Sequence, residues 1–454
     1  MSENRDNSWG VIPLFFIAFC NMLTYCLLRN ICHEVQSISP MGSDTHMVLK
    51  FFLSPAINTI VAAILLYAAK RTSVYYIVQR TLLMITAFTS IFFFIITPIY
   101  LTSSDPASTF EISSFLTDVK AHGLYAILYL FFSLWPPLTL LLFYGYFNNI
   151  VTFSRACTLY PSISIFCLIL SEFVMPDLTQ SILTGTLQEK MFKVGMISLI
   201  CLFTTIYCFY RTNLNAKEES GAIKRSLGPM FIICLALITI TVGFTKHISV
   251  MTWDFSIQIK DSFPKAYWDL LGSFSALKHL SILVTVVLLG FLSAYLKQNK
   301  MNGWKNFCYL STGLIALLIS TTIFLNLISG SIGSYLVKGD TALFDKLLIS
   351  VGGSYQVFIA TVFYPTLLCL KHLVFVPIPL QDRFRLKIII DLIFYKGGYF
   401  VAVLLQSSLT SLADFKTQLM LTLALCFITV LLIRIPCINY VSKKLQPTIS
   451  PEKY

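Results

Sequence analysis

The chain alternates between long apolar runs and short polar links, and the runs have the length that carries a helix across a bilayer core, about twenty residues. This pattern predicts roughly twelve spans, placed at 12–29, 47–69, 80–101, 122–148, 157–175, 193–210, 228–248, 268–295, 305–329, 347–370, 387–409 and 415–434. The longest strongly polar link runs from Tyr210 to Pro229, with Lys-Glu-Glu-Ser-Gly in its middle, and divides the spans into two sets of six. The expected organisation is all-α: an N-terminal six-helix half over 1–210, a cytoplasmic linker over 211–228, a C-terminal six-helix half over 229–440 and a cytoplasmic tail over 441–454.

Composition agrees with the pattern. Of 454 residues 56% are hydrophobic and 12% charged, and the mean hydropathy of +0.76 excludes an ordinary water-soluble domain. A formal charge of +12 raises the question of nucleic acid. The Lys and Arg sit instead in short links, as orientation signals do, so the bilayer is the expected partner and nucleic acid is not. Lys70, Arg71 and Arg80, then Lys297, Lys300 and Lys305, then Arg383, Arg385 and Lys387, then Arg434, Lys443 and Lys444 all fall on one side of the predicted topology. The opposite links carry acids such as Asp105, Asp177 and Asp254, which puts both termini in the cytoplasm. The 12 cysteines lie mostly inside apolar runs without a Cys-x-x-Cys pair, and read as small buried hydrophobes rather than metal ligands or a disulfide framework. No Walker loop, Ser-His-Asp set or His-Glu-x-x-His motif is present, so the expectation is a non-enzyme without cofactor or metal.

Ionisable residues inside the spans are the candidate chemistry, because a lysine at mid-bilayer costs about 3 kcal/mol on insertion scales. Span one ends in Arg29, His33 and Glu34, and span seven in Lys246 and His247. Span eight carries Lys278 and His279, span ten Lys371 and His372, and span eleven Lys396 followed by Gly397 and Gly398. Such residues either line an aqueous cavity that accepts an anion or snorkel to the interface. Helical neighbours point about 100° apart, so Lys278 and His279 do not share one wall, and Lys278 is preferred as the ligand. The Gly pair permits either backbone contact with an anion or tight helix packing. His33, Glu34, His247 and His279 are the candidates for proton coupling, since imidazoles titrate near neutral pH.

Span four reads Ser133-Leu134-Trp135, then Phe143-Tyr144-Gly145-Tyr146-Phe147-Asn148-Asn149-Ile150, with Tyr160-Pro161 following. Together with Leu27-Leu28-Arg29, Gly42-Ser43 before Lys50, the spacing from Cys234 through Gly243 to Thr252-Trp253, Ile378-Pro379-Leu380 and Gly397-Gly398, this resembles the non-mitochondrial ATP/ADP translocase family of intracellular bacteria, plastids and microsporidia. The resemblance implies a twelve-span carrier similar in architecture to the major facilitator fold, exchanging nucleotides across the cell (inner) membrane of an intracellular bacterium. Charged positions of the family fall here at Cys32, Ser133, Val250 and Tyr395, while Lys396 stands one position late and Lys371 and His372 occupy the place of the family's Phe-Asp-Pro-Thr-Lys-Glu run.

The leading expectation is a nucleotide transporter working by alternating access, by ATP/ADP exchange or related nucleotide import. Arg29, Lys246, Lys278 and Lys396 attract phosphate, and Asn148 and Asn149 supply hydrogen bonds. Its alternatives are a proton-coupled carrier of another anionic phosphorylated solute or cofactor, and a membrane scaffold that no longer transports. No obligate protein partner is expected.

Overall fold

The structure, a computed structural model, describes residues 12–38, 53–102, 112–214, 228–262, 264–336, 357–358, 362–378, 380–410 and 415–449. Helix is the only regular element among them. In chain order the helices are α1 (Ile12–Ile38), α2 (Ser54–Arg71), α3 (Val74–Ile91), α4 (Thr97–Thr102), α5 (Ile112–Ile150), α6 (Phe153–Ile169), α7 (Met175–Ile182) and α8 (Leu187–Leu214). There follow α9 (Pro229–Ser262), α10 (Pro264–Leu336), α11 (Tyr364–Leu373), α12 (Leu380–Ile388), α13 (Tyr395–Thr410), α14 (Phe415–Thr429) and α15 (Ile435–Ile449). Each predicted span except the tenth falls largely on described helix; much of the tenth, with Lys217, Lys224 and Arg225 of the linker, lies outside the described residues.

Nine helical stretches among the described residues are long and apolar enough to cross a membrane. One of them, Leu277–Phe324, holds two predicted spans joined at Lys300, whose φ of 48° breaks the helix in the left-handed region that a lysine seldom enters. Large apolar side chains cover the outside: Ile64 is 61% exposed, Met84 73%, Phe203 60% and Val287 66%. Helices that satisfy their own backbone and show such surfaces belong in hydrocarbon, and the chain is a multi-pass membrane protein. Serine and threonine are tolerated inside the spans because their hydroxyls bond back to the preceding turn, as Thr89 does to Ile85, Thr139 to Trp135 and Thr245 to Thr241.

Wide π-helical turns interrupt the described spans, among them Phe92–Ile96, Leu170–Val174, Ile389–Phe394 and Val430–Arg434. Three of these have the same cause. A proline follows each at the second residue of the next helix, Pro98, Pro176 and Pro436. Proline lacks an N–H and its ring strikes the carbonyl four residues back, so one wide turn before it accommodates both defects. Thr97 fills part of the gap, its hydroxyl donating to the carbonyl of Phe92, five residues back, at 2.9 Å.

The chain packs as two compact units, one of residues 1–150 and 166–221, the other of 151–165 and 222–454. Segment 151–165, the start of the fifth span, thus packs with the second unit. In the first unit α1 lies against α8 and α5. It buries Leu14, Ile17, Leu28, Ile31 and Val35, a stripe at helical spacing, with Phe15 edge-on to Phe166 at 5.1 Å and Tyr25 stacked on Phe132 at 5.4 Å. In the second unit α9 runs against α13, and α15 against α10 and α9.

Candidate functional site

Span one carries its charges on the last turns of α1, and the first unit ties part of that end down. Asn30 Nδ2 donates to Thr179 Oγ1 at 3.2 Å, and Glu34 pairs with Lys190 at 2.6 Å, joining α1 to α7 and α8. Glu34 is thereby engaged in an ion pair inside its own unit. Arg29 and His33 lie on the exposed side, away from the stripe that Leu28, Ile31 and Cys32 bury. Asn148 is fully buried on α5, and the side chain of Asn149 lies outside the described residues.

In the second unit two glycines set the geometry. A Cβ on Gly398 would enter the van der Waals shell of the Ile240 carbonyl, and one on Gly243 would strike the carbonyl of Tyr395. Backbone therefore meets backbone where α9 crosses α13. Of the two uses open to the Gly pair, Gly398 serves close packing, whereas a methyl group on Gly397 would stand in open space, with nothing within 4 Å. Two candidates stand on the two crossing helices. Lys246 follows Gly243 by one turn, Lys396 adjoins Tyr395, and the buried His247 ring meets Tyr399 edge-on at 4.8 Å. Lys246 and Lys396 are each partly exposed. On α10, Lys278 continues the buried stripe of Ile282, Thr285 and Leu289, while His279 falls in line with the outward Leu283 and Val287. The two neighbours thus look different ways.

A cluster of charges that lie apart in the sequence gathers between the end of α11, the end of α12 and the π-turn that follows it. Lys371 pairs with Asp391 at 2.8 Å and Lys387 pairs with the other oxygen of the same carboxylate at 2.9 Å. Lys387 also lies 2.7 Å from His372 Nδ1, which accepts from the ammonium and leaves the imidazole its Nε2–H tautomer. The ring of Phe375 lies 4.7 Å from the Lys387 ammonium, and the Tyr160 ring 6.4 Å from His372. Lys387 is fully buried in its unit rather than displayed on a surface link. Two ammoniums on one carboxylate leave this trio one positive charge in excess. Arg383 closes the turn between α11 and α12, donating to the carbonyls of Val376 and Ile378, so that a buried bend of apolar residues keeps its acceptors satisfied.

Arg434 is likewise enclosed. It ends the π-turn before α15 fully buried, its guanidinium 5.5 Å from the Phe363 ring centroid, and among the described residues none of its nitrogens has a hydrogen-bond partner. A charge so placed costs more than an apolar side chain of similar size. Arg434→Met is expected to be neutral or to stabilise by about 1–4 kcal/mol, read as an unchanged or raised unfolding temperature in detergent; a fall of several degrees would show that the guanidinium holds the bundle together.

No protein-family model and no curated protein sequence matches the chain. Its fold does have counterparts. A bacterial homologue of the iron transporter ferroportin, solved in an outward-facing state, superposes with a TM-score of 0.54 at 13% identity, covering 95% of this chain and 99% of that one. The E. coli fucose:proton symporter FucP gives 0.51 at 11% identity, covering 95% and 99%, and a second structure of FucP, described as a Major Facilitator Superfamily transporter in the outward conformation, gives the same values. Helical content, membrane-length spans and an alignment that covers 95% of the chain together establish that this chain has the fold of the major facilitator transporters.

Proposed function

We propose that this protein transports a nucleotide, or a closely related anionic phosphorylated solute, across a membrane by alternating access. The observation that carries the reading is the α9–α13 crossing, where Gly243 and Gly398 let two helices meet at backbone distance and put Lys246 and Lys396 on the meeting segments. Charge-assisted bonds from ammonium to phosphate strengthen in a low-dielectric surrounding, which suits an anionic cargo. The fold shared with transporters supports movement of a solute, and the span-four and Gly-Gly resemblance to ATP/ADP translocases supports a nucleotide as that solute. Arg29, exposed on α1, is the first unit's candidate for the same chemistry, and the exposed Lys70, Arg71, Lys443 and Lys444 support cytoplasmic termini.

Lys246→Ala and Lys396→Ala are each expected to weaken ATP binding about tenfold, the scale of one charge-assisted hydrogen bond. Lys396→Arg keeps most of the affinity. Equilibrium binding of labelled ATP to the purified protein checks this, and wild-type affinity in both alanine variants would remove the crossing from the site.

A further inference from the structure

A cleft of about 310 Å³ lies in the first unit, outside the crossing, between the end of the third span and the start of the sixth. We propose that it binds the headgroup of a zwitterionic phospholipid that carries a primary ammonium. This assignment does not depend on the cargo proposed above.

The walls are Phe93, Thr97 and Pro98 on one side and Gln188, Glu189, Phe192 and Lys193 on the other. The membrane-length stretches end at Ile99 and begin at Leu187, so the cleft sits where hydrocarbon gives way to headgroups. The wall residue Phe192 is 54% exposed, and Ile95 and Ile99, on the same stretch as Thr97 and Pro98, are 55% and 61% exposed, an apolar surface suited to acyl chains. The cleft exists because the wide turn before Pro98 displaces the end of the third span, and because Gly195 lets Phe93 lie flush against α8.

The charges then select the ligand. Thr186 and Glu189 form a capping box at the start of α8: the Thr186 N–H donates to Glu189 Oε2 at 3.1 Å and the Glu189 N–H donates to Thr186 Oγ1 at 3.3 Å. Gly185 turns the chain into this cap with a φ of 102°, a conformation only glycine holds without strain. One carboxylate oxygen of Glu189 is left for a ligand. Lys193, one turn on, donates to the carbonyl and hydroxyl of Thr184 at 2.9 and 3.2 Å, both neutral groups, so its charge is not cancelled. The cleft therefore offers one carboxylate and one ammonium at (i, i+4) spacing, with no net charge. Lys193 suits a phosphodiester and Glu189 an amine with protons to donate. A headgroup that is anionic overall meets repulsion from Glu189, and a quaternary ammonium has no N–H for it.

The test is thermal unfolding of the purified full-length protein in detergent, titrated separately with phosphatidylethanolamine, phosphatidylcholine and phosphatidylglycerol. Phosphatidylethanolamine should stabilise at about tenfold lower concentration than either other lipid. Glu189→Gln keeps the cap, since its amide oxygen still accepts from Thr186, and should erase that preference while leaving the lipid-free melting temperature unchanged. Lys193→Met should weaken phosphatidylethanolamine and phosphatidylcholine alike, about tenfold. Native mass spectrometry of the wild-type protein needs no variant: retained phosphatidylethanolamine supports the site. Equal stabilisation by all three lipids, a preference that survives in Glu189→Gln, or retention of the three lipids without distinction would overturn it.

Discussion

Asp391→Asn should destabilise the protein by about 3–5 kcal/mol, the scale observed when one partner of a buried ion pair is removed. The carboxylate receives Lys371 at 2.8 Å and Lys387 at 2.9 Å, and Lys387 is fully enclosed. Asparagine preserves the shape and removes the charge that balances two ammoniums. The damage should be concentrated where α11 meets the end of α12, where Lys387 also donates a hydrogen bond to His372 Nδ1. Adding Lys387→Met to the first substitution should recover most of the loss, because Lys371 is 18% exposed and can turn its head toward solvent. Unfolding temperatures of the two single variants and the double variant give the coupling directly. Equal losses in Asp391→Asn and in the double variant would show that the carboxylate is held for a reason other than charge balance.

The second large effect separates two adjacent glycines. Gly398→Ala is expected to cost about 1–3 kcal/mol, because its methyl group meets the carbonyl of Ile240, a backbone atom that cannot rotate away. Gly397→Ala places the same methyl in open space and should be neutral, or slightly stabilising by the roughly 1 kcal/mol that alanine gains over glycine in a helix. Gly243→Ala should resemble Gly398→Ala, since it meets the carbonyl of Tyr395 across the same crossing. On the proposed function, labelled-ATP affinity should fall with stability, because Lys246 and Lys396 stand on the two helices that this crossing holds together. The check is to measure unfolding temperature and labelled-ATP affinity on the same preparations; identical behaviour of Gly397→Ala and Gly398→Ala would refute the close-packed crossing.

The spans are legible because hydrocarbon imposes a length on every helix, and a run of about twenty apolar residues is a long signal. The wide turns before Thr97, Met175 and Ile435 are also written in the sequence, in the prolines that follow. The charges are harder. Lys387 and Asp391 stand four residues apart and could be paired by helical spacing, but Arg383 and Arg385 beside them make the segment look like a loop. Pairing Asp391 with Lys371 needs the bend at 374–378 that folds α11 onto α12, and that bend is buried although its neighbours are polar. Arg434 reads as a flanking charge because an apolar run ends on it, yet α15 carries the helix on to Ile449. Lys246 and Lys396 lie far apart in sequence, and only the two glycines, meeting backbone to backbone, show that their helices cross. His279 illustrates the remaining difficulty: its chemistry matches that of His247, but it lies on the outward side of α10 with Leu283, and nothing in the residue type distinguishes the two faces.

The most direct test of the central claim is uptake of labelled ATP into proteoliposomes containing the purified protein, with the vesicles preloaded with unlabelled ADP or left empty. The account predicts saturable uptake, competed by unlabelled nucleotide and reduced at limiting substrate in Lys246→Ala and Lys396→Ala. Absence of saturable flux with ATP, ADP, other nucleoside triphosphates and dinucleotide cofactors, from protein that retains its folded unfolding transition, would contradict it.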